Sequence, residues 1–426
     1  MPRRYFVAGL VLAGLGAIAT LPAQSANPGC EPGNGGITLP QGFCASIFAD
    51  KLGPARHLAV SPTGDVYVAT RPPRTPGAPA GIIALRDANH DGTAEIVERL
   101  PLAVTTGVEW RNDYLYYSDN SSVSRVKMTP GQLTPTGTPE VIVSGLTDRR
   151  QHADKPFTFD DQGHLFVNIG APSNTCQQDD RKAGSPGRKP CPILEEAGGV
   201  WRFDADKPGQ TQQDGHRYAS GIRNGVAIAY NPVDRQVYVA QHGRDALDTL
   251  FPDGFSARQN ADLPAEELFR LSDGADFGWP YCYYDIVQNK KVLSPEYGGD
   301  GRLVGDCDKK GQPLVTFPAH NGPNDILFYT ARQFPAKYHN GAFVALHGSW
   351  NRAPFEMDGY RVVFVPFGPQ GPTGGWEPFA DGFTGRPAIK NPRDAAYRPT
   401  GLALGLNGEL YISDDAQGRI WRVVPR

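Results

Sequence analysis

HLAVSPTGDVYVAT, residues 57–70, holds an apolar strand, a Pro- and Gly-bearing turn, and a second strand with Tyr67 set between aliphatics. Five further stretches repeat this pattern: GVEWRNDYLYYSD (107–119), PFTFDDQGHLFVNIG (156–170), GVAIAYNPVDRQVYVAQHG (225–243), ILFYTARQFPAKYHNGAFVALHG (326–348) and GLALGLNGELYISDD (401–415). A recurring antiparallel unit implies stacked sheets and excludes a helical solenoid. The equivalent aromatics Tyr67, Tyr116, Phe166, Tyr238, Phe343 and Tyr411 fall 49, 50, 72, 105 and 68 residues apart. The shorter intervals suit a four-stranded blade, and the longer ones imply insertions in the later repeats. Six such units predict an all-β, six-bladed β-propeller. Residues 43–50 alternate apolar and small side chains, and are expected to pair beside the final strand at 419–424. That closure removes two exposed sheet edges.

The chain has 426 residues, with 50 Gly and 39 Pro scattered between strand-like runs, which fits many tight turns. Its formal net charge is −3 and it has no basic stripe, which argues against nucleic acid as a partner. Residues 1–26 read as an export signal: Arg3 and Arg4, an apolar run from Phe6 to Leu21, then the small-residue stretch Ala23-Gln24-Ser25-Ala26. An uncleaved anchor is the alternative for this segment. Residues 27–426 are then assigned to the propeller, with no stable membrane insertion expected, in a periplasmic or secreted protein.

The six cysteines agree with an oxidising compartment. Six cysteines permit 15 pairings. The sequential scheme Cys30–Cys44, Cys176–Cys191, Cys282–Cys307 is favoured because each pair brackets one Pro/Gly-rich insertion. No CxxCH stands in the chain, which argues against an attached c-type haem.

The segment richest in chemistry is RYASGIRNGVAIAYNPVDRQVYVAQHGRDAL, residues 217–247. Arg223-Asn224 precedes one inner strand, and His242-Gly243-Arg244-Asp245 follows the next strand. In a blade both positions lie at the same rim. Two readings stand for these charges: a loop ion pair between Arg223 or Arg244 and Asp245 or Asp248, or a site. Recurrence at equivalent places favours the site: His152 before one strand, HGSWNR (347–352) after another, and Arg398 before the last repeat. A ring of His and Arg at one mouth points to an anionic, planar ligand together with a base. His320 opens the fifth repeat at the same rim and is a candidate substrate contact. FGWPY (277–281) is either a sugar-stacking platform or, the favoured reading, a loop pinned by buried aromatics.

Asp87, Asn89, Asp91, Gly92 and Glu98 match a calcium-loop spacing, but between strands rather than helices. A structural Ca²⁺ and a plain Asp/Asn/Gly turn both account for it.

The order RNGVAIAYNP (223–232), VYVAQHGRDAL (237–247), ELFRLSDGADFGWPYCYYD (267–285), then the stretch from Phe317 to Phe367, resembles the glucose/sorbosone dehydrogenase family. These are exported six-bladed propellers that use pyrroloquinoline quinone (PQQ) with calcium. The resemblance covers roughly residues 40–425 and is strongest between 216 and 366. It implies a PQQ- and Ca²⁺-dependent dehydrogenase that oxidises an aldose, sorbosone or related sugar and passes electrons to an external acceptor, a cytochrome or quinone. It implies His152 as the general base, Arg223 against the reactive quinone carbonyl, and Asn224 as its hydrogen-bonding neighbour. It further implies Gly243 and Arg244 as carbonyl ligands of calcium, and Arg398 as a carboxylate-binding arginine. The chain departs from the family at two points. HGSWNR replaces a lysine-bearing loop, so His347 or Arg352 takes that work, and Thr400 replaces a second arginine. The chemistry is coherent in its own terms: a neutral imidazole takes a hydroxyl proton, and cations stabilise charge on a reduced carbonyl. The alternatives are a metal-dependent propeller lactonase, and a non-catalytic exported propeller that binds glycans or protein.

Overall fold

Period-two alternation lets strands pack face to face, and six blade sheets result, each with four antiparallel strands; two of them carry an extra two-residue parallel strand at the edge, and two small hairpins stand apart. The computed structural model describes residues 1–2, 30–71 and 81–426, so the segment read as an export signal lies outside the described residues except for its first two. The innermost strands, in chain order, are Ala55–Val60, Val108–Arg111, Phe157–Phe159, Ala227–Asn231, Pro323–Phe328 and Pro399–Leu404. Each begins a blade whose next three strands follow outward. In the last blade the outermost place is taken by Phe43–Ala49, antiparallel to Ile420–Pro425 with Phe43 opposite Pro425 and Cys44 opposite Val424. The ring therefore closes as the sequence predicts.

The six recurring aromatics explain why the blades hold together. Tyr67, Tyr116, Phe166, Tyr238, Phe343 and Tyr411 lie in the second strands, and each belongs to a different hydrophobic cluster. Every cluster joins side chains of two adjacent blades, so each aromatic fills one inter-blade interface.

The long intervals are insertions at one rim. Between Tyr238 and Phe343 lie the short helices Leu247–Leu250 and Ala257–Asp262 and a hairpin of Cys282–Asp285 with Lys290–Leu293. Disulfides join Cys30–Cys44, Cys176–Cys191 and Cys282–Cys307, the sequential scheme. The latter two staple the insertions that build the walls of the mouth.

Candidate functional site

The chain segments entering the inner strands and leaving the second strands meet at one rim, and the sequence-selected residues meet there. His152 has φ +52°, in the left-handed region. Its Nδ1 lies 2.5 Å from the Ala171 carbonyl oxygen. A carbonyl only accepts, so Nδ1 carries the proton and Nε2 keeps its lone pair. Burial, with the Arg223 guanidinium adding to it, pushes the His152 pKa down to about 3. Gly170 makes this packing feasible. A Cβ there would lie 2.7 Å from His152 Cβ and 3.0 Å from Asn224 Oδ1. Asn224 is thereby set beside His152, and its Oδ1 is buried without a hydrogen-bond partner.

Arg223 is buried, and it faces protein groups rather than an open channel. Its Nη2 donates to Asp245 Oδ2 at 2.7 Å and to Asn174 Oδ1 at 3.1 Å. Asp245 also accepts from Arg181 Nη2 at 3.0 Å and from Asn351 Nδ2 at 2.9 Å. Burial opposes ionisation of Asp245, but Arg223, His320 and Arg181 hold its carboxyl below the ordinary range. The ion-pair reading of Arg223 is thus correct, and the pair sits inside the site.

A second network runs across the mouth. His347 Nε2 lies 2.8 Å from Asp415 Oδ1, and Arg56 Nη1 lies 3.0 Å from Asp415 Oδ2. Arg56 reaches back to Asp154 Oδ2 at 3.7 Å, two residues beyond His152, and Arg71 also pairs with Asp154. Burial pushes the His347 pKa down to about 4 despite Asp415. Arg398 donates to the His347 carbonyl at 3.2 Å and the Gly348 carbonyl at 2.9 Å, and pairs with no carboxylate among the described residues. Arg352 is tied to the Ala261 and Glu356 carbonyls, with Asp262 3.5 Å away. His320 is buried, with Nε2 2.7 Å from the Asn260 carbonyl, and burial lowers its pKa.

The Gly243–Arg244 loop separates the roles of backbone and side chain. Gly243 N donates to Glu266 Oε2 at 2.6 Å, and the Arg244 guanidinium forms a buried pair with Glu296 at 2.6 Å. Neither carbonyl accepts a hydrogen bond among the described residues. Two main-chain oxygens therefore stay free for a hard cation. The 87–98 loop differs from its predicted ligand set. Asp87, Asp91 and Glu95 bring oxygens within 4.8 Å of one another, whereas Glu98 stands on an outer strand opposite Ala84. The Asp87, Asn89 and Asp91 oxygens already accept backbone N–H groups of the turn.

FGWPY is pinned, as favoured: Phe277 stacks on Phe269 at 4.2 Å and Trp279 Nε1 donates to the Asn174 carbonyl at 2.9 Å. Sequence reasoning missed Arg56, Asp154, Asn174, Asn351 and Asp415. The signal for Asp415 was available, since it follows the sixth second strand where His242 and His347 follow theirs.

Residues 37–426 match the profile described as TrAA12-like. The chain belongs to the TrAA12-like family. Its relatives include the pyrroloquinoline quinone-dependent pyranose dehydrogenase of Coprinopsis cinerea, 27% identical over 277 residues, 56% of this chain and 36% of that protein. This TrAA12-like chain spans less than half the length of the curated relatives it matches. Among solved structures it resembles a Trichoderma reesei carbohydrate-active enzyme of family AA12, with TM-score 0.75 and 18% identity, covering 96% of this chain and 100% of that one. It also resembles the holo PQQ domain of the Coprinopsis cinerea pyranose dehydrogenase, with TM-score 0.72 and 19% identity, covering 91% and 97%. At such identities the structural likeness establishes the TrAA12-like propeller fold.

Proposed function

We propose that this protein is a PQQ- and Ca²⁺-dependent dehydrogenase of an aldose or related sugar. The observation that carries the reading is His152, with Nε2 free, set beside Asn224 and Arg223 at a mouth where Arg398 has no carboxylate partner. The donor set fits the cofactor: Arg398 offers a guanidinium to a carboxylate, and the Gly243 and Arg244 carbonyls offer hard oxygens to calcium. When bound, PQQ with Ca²⁺ supplies a polarised two-electron acceptor.

The chain's own residues do the rest. His152 Nε2 takes the proton from the reacting hydroxyl, and the Ala171 carbonyl fixes the tautomer that makes this atom the base. Asn224, held beside His152 by its packing on Gly170, is the hydrogen-bonding neighbour of the ligand. Asp245 holds Arg223 in place while its own charge is neutralised by Arg181. His347, fixed by Asp415, keeps its ring neutral, and with Arg352 it forms the wall where the family's lysine-bearing loop stands. The relatives named above as PQQ-dependent support the cofactor. The lactonase alternative is disfavoured because Asp154, Asp245 and Asp415 at this mouth are each paired with arginine.

Three disulfides suit an exported protein, and no helix among the described residues is long and apolar enough to cross a membrane. The acceptor is proposed to be an external cytochrome or quinone. The test is reconstitution: purified protein with PQQ and Ca²⁺ should reduce an artificial acceptor when an aldose is added. No sugar-dependent reduction across a panel of aldoses removes the proposal.

A further inference from the structure

His347 follows Ala342–Leu346, the second strand of the fifth blade, and all its polar atoms but one are committed. Its N donates to the Gly322 carbonyl at 2.9 Å, and its carbonyl accepts from Arg398 Nε at 3.2 Å. Its Nε2 lies 2.8 Å from Asp415 Oδ1. Burial opposes ionisation of Asp415, but His347 and Arg56 hold its carboxyl well below the ordinary range, so this oxygen only accepts. Nε2 therefore carries the proton. Burial keeps the ring neutral, so Nδ1 retains its lone pair. Nδ1 has no hydrogen-bond partner among the described residues and is not buried, and the side chain is 17% exposed. Two routes of contact join this ring to the His152 side of the mouth. His242 N donates to the Asn224 carbonyl at 2.8 Å, and a Cβ at Gly322 would lie 3.8 Å from both His242 Cε1 and His347 Cβ. On the other side Arg56 bridges Asp415 to Asp154, two residues beyond His152.

The polarity of this atom decides what can meet it. The ring cannot turn its N–H toward a ligand without breaking a bond to an ionised carboxylate, so His347 offers an acceptor and no donor. Arg56 beside it gives its N–H groups to Thr106, Asp415 and Asp154, and leaves Nδ1 to the mouth. Carboxylate and quinone oxygens are acceptors themselves and find no complement in Nδ1. A neutral donor does, and the donor that the proposed reaction brings to this mouth is a sugar hydroxyl.

We propose that His347 Nδ1 accepts a hydrogen bond from a second hydroxyl of the sugar, other than the one His152 deprotonates, and so selects among aldoses; the inference rests on the dehydrogenase reading above. The test uses the full chain loaded with PQQ and Ca²⁺, whichever of D-glucose, D-galactose and D-mannose it turns over fastest, and the monodeoxy analogues of that sugar. In the parent, one analogue lacking a non-reacting hydroxyl should lose about threefold to tenfold in kcat/KM, the range of one neutral hydrogen bond. His347→Phe should impose a similar loss on the intact sugar and no further loss on that analogue. His347→Gln, which keeps an acceptor oxygen, should recover part of it. The PQQ titration of both variants should match the parent. Additive losses for every analogue, or a loss of PQQ affinity in place of the sugar effect, overturns the proposal. A second arm needs no cofactor: in ¹⁵N-histidine-labelled apoprotein, His347 should show a protonated Nε2 and a bare Nδ1, and the same sugars should shift the Nδ1 resonance saturably. If the parent binds no PQQ or oxidises none of the sugars, the dehydrogenase reading falls and this arm decides His347. A protonated Nδ1, or no saturable shift in that case, overturns the proposal.

Discussion

Asp245→Asn is the perturbation that interrogates the site's architecture most sharply. Asp245 Oδ2 accepts from Arg223 at 2.7 Å and from Arg181 at 3.0 Å, while Oδ1 accepts from Asn351 at 2.9 Å. The Arg223 side chain is 3% exposed and that of Asp245 11%, so water replaces little of what is lost. Two charge-assisted bonds at about 1.5–3 kcal/mol each set the scale. Breaking a buried pair from one side costs about 3–5 kcal/mol, because the remaining charge is left uncompensated. Asparagine keeps one acceptor oxygen, which places the expectation at the lower end, about 3 kcal/mol. With an m value of about 3 kcal/mol/M or more for a chain this large, the urea midpoint should fall by about 1 M at unchanged m. Arg223→Met combined with Asp245→Asn should cost at least ~1 kcal/mol less than the sum of the single changes, since no orphan charge remains. A midpoint shift below about 0.2 M, or additivity within about 0.5 kcal/mol, would refute the claim that Asp245 neutralises Arg223.

Four further outcomes are expected. Burial, with Asp325 adding to it, pushes the Glu109 pKa up to about 8, so the folded state retains a proton that the unfolded chain releases near its ordinary value of 4.5. Folding therefore loses stability as pH rises between those values, and the Tm advantage of Glu109→Gln should grow from pH 5 to pH 8.5; a pH-independent difference contradicts this. His152 should stay neutral in the apoprotein down to below pH 5 by NMR titration, its pKa being held near 3 by burial and Arg223. His152→Ala should lower turnover about 10²-fold with PQQ binding retained, and unchanged turnover removes it as the base. Phe43, on the closing strand, lies 4.8 Å from Phe334, 5.2 Å from Phe379 and 5.4 Å from Tyr338, ring centre to ring centre. Phe43→Ala should cost about 3–5 kcal/mol and raise hydrogen exchange along residues 44–49, whereas a loss under about 1 kcal/mol would show that the closure does not depend on that ring.

The blades were legible because their signals are local. A period of two, a turn and one aromatic per repeat are contained within some fifteen residues, and each disulfide closes a short stretch of chain. The closing strand was also readable, since an unpaired edge at the last blade demands a partner and residues 43–50 have the right alternation. At the site, residue types at equivalent rim positions were enough to bring His152, Arg223, Asn224, His347 and Arg398 together. Asp245 was legible as a partner of Arg223 because it lies 22 positions away, but the wider networks were not, because the ring joins residues far apart in sequence. Arg56 meets Asp415 across 359 positions, and Asn351 meets Asp245 across 106. Nor does sequence separate a residue's backbone from its side chain. Arg244 leaves its carbonyl free while its guanidinium is consumed by Glu296. In the 87–98 loop the spacing selected Glu98, but the outer strand begins at Ile96, so Glu95 closes the turn near Asp87 and Asp91 and Glu98 is committed to the strand.

The proposed PQQ site is assembled around His152, Arg398 and the Gly243–Arg244 carbonyls. Equilibrium titration of the purified apoprotein with PQQ in excess Ca²⁺, followed by the quinone absorbance, tests it most directly. Saturable binding of one PQQ per chain is expected, weakened tenfold or more in Arg398→Ala, since a charge-assisted partner is lost, and abolished by chelation of calcium. No saturable binding by the parent protein, or binding indifferent to Arg398 and to calcium, would contradict it.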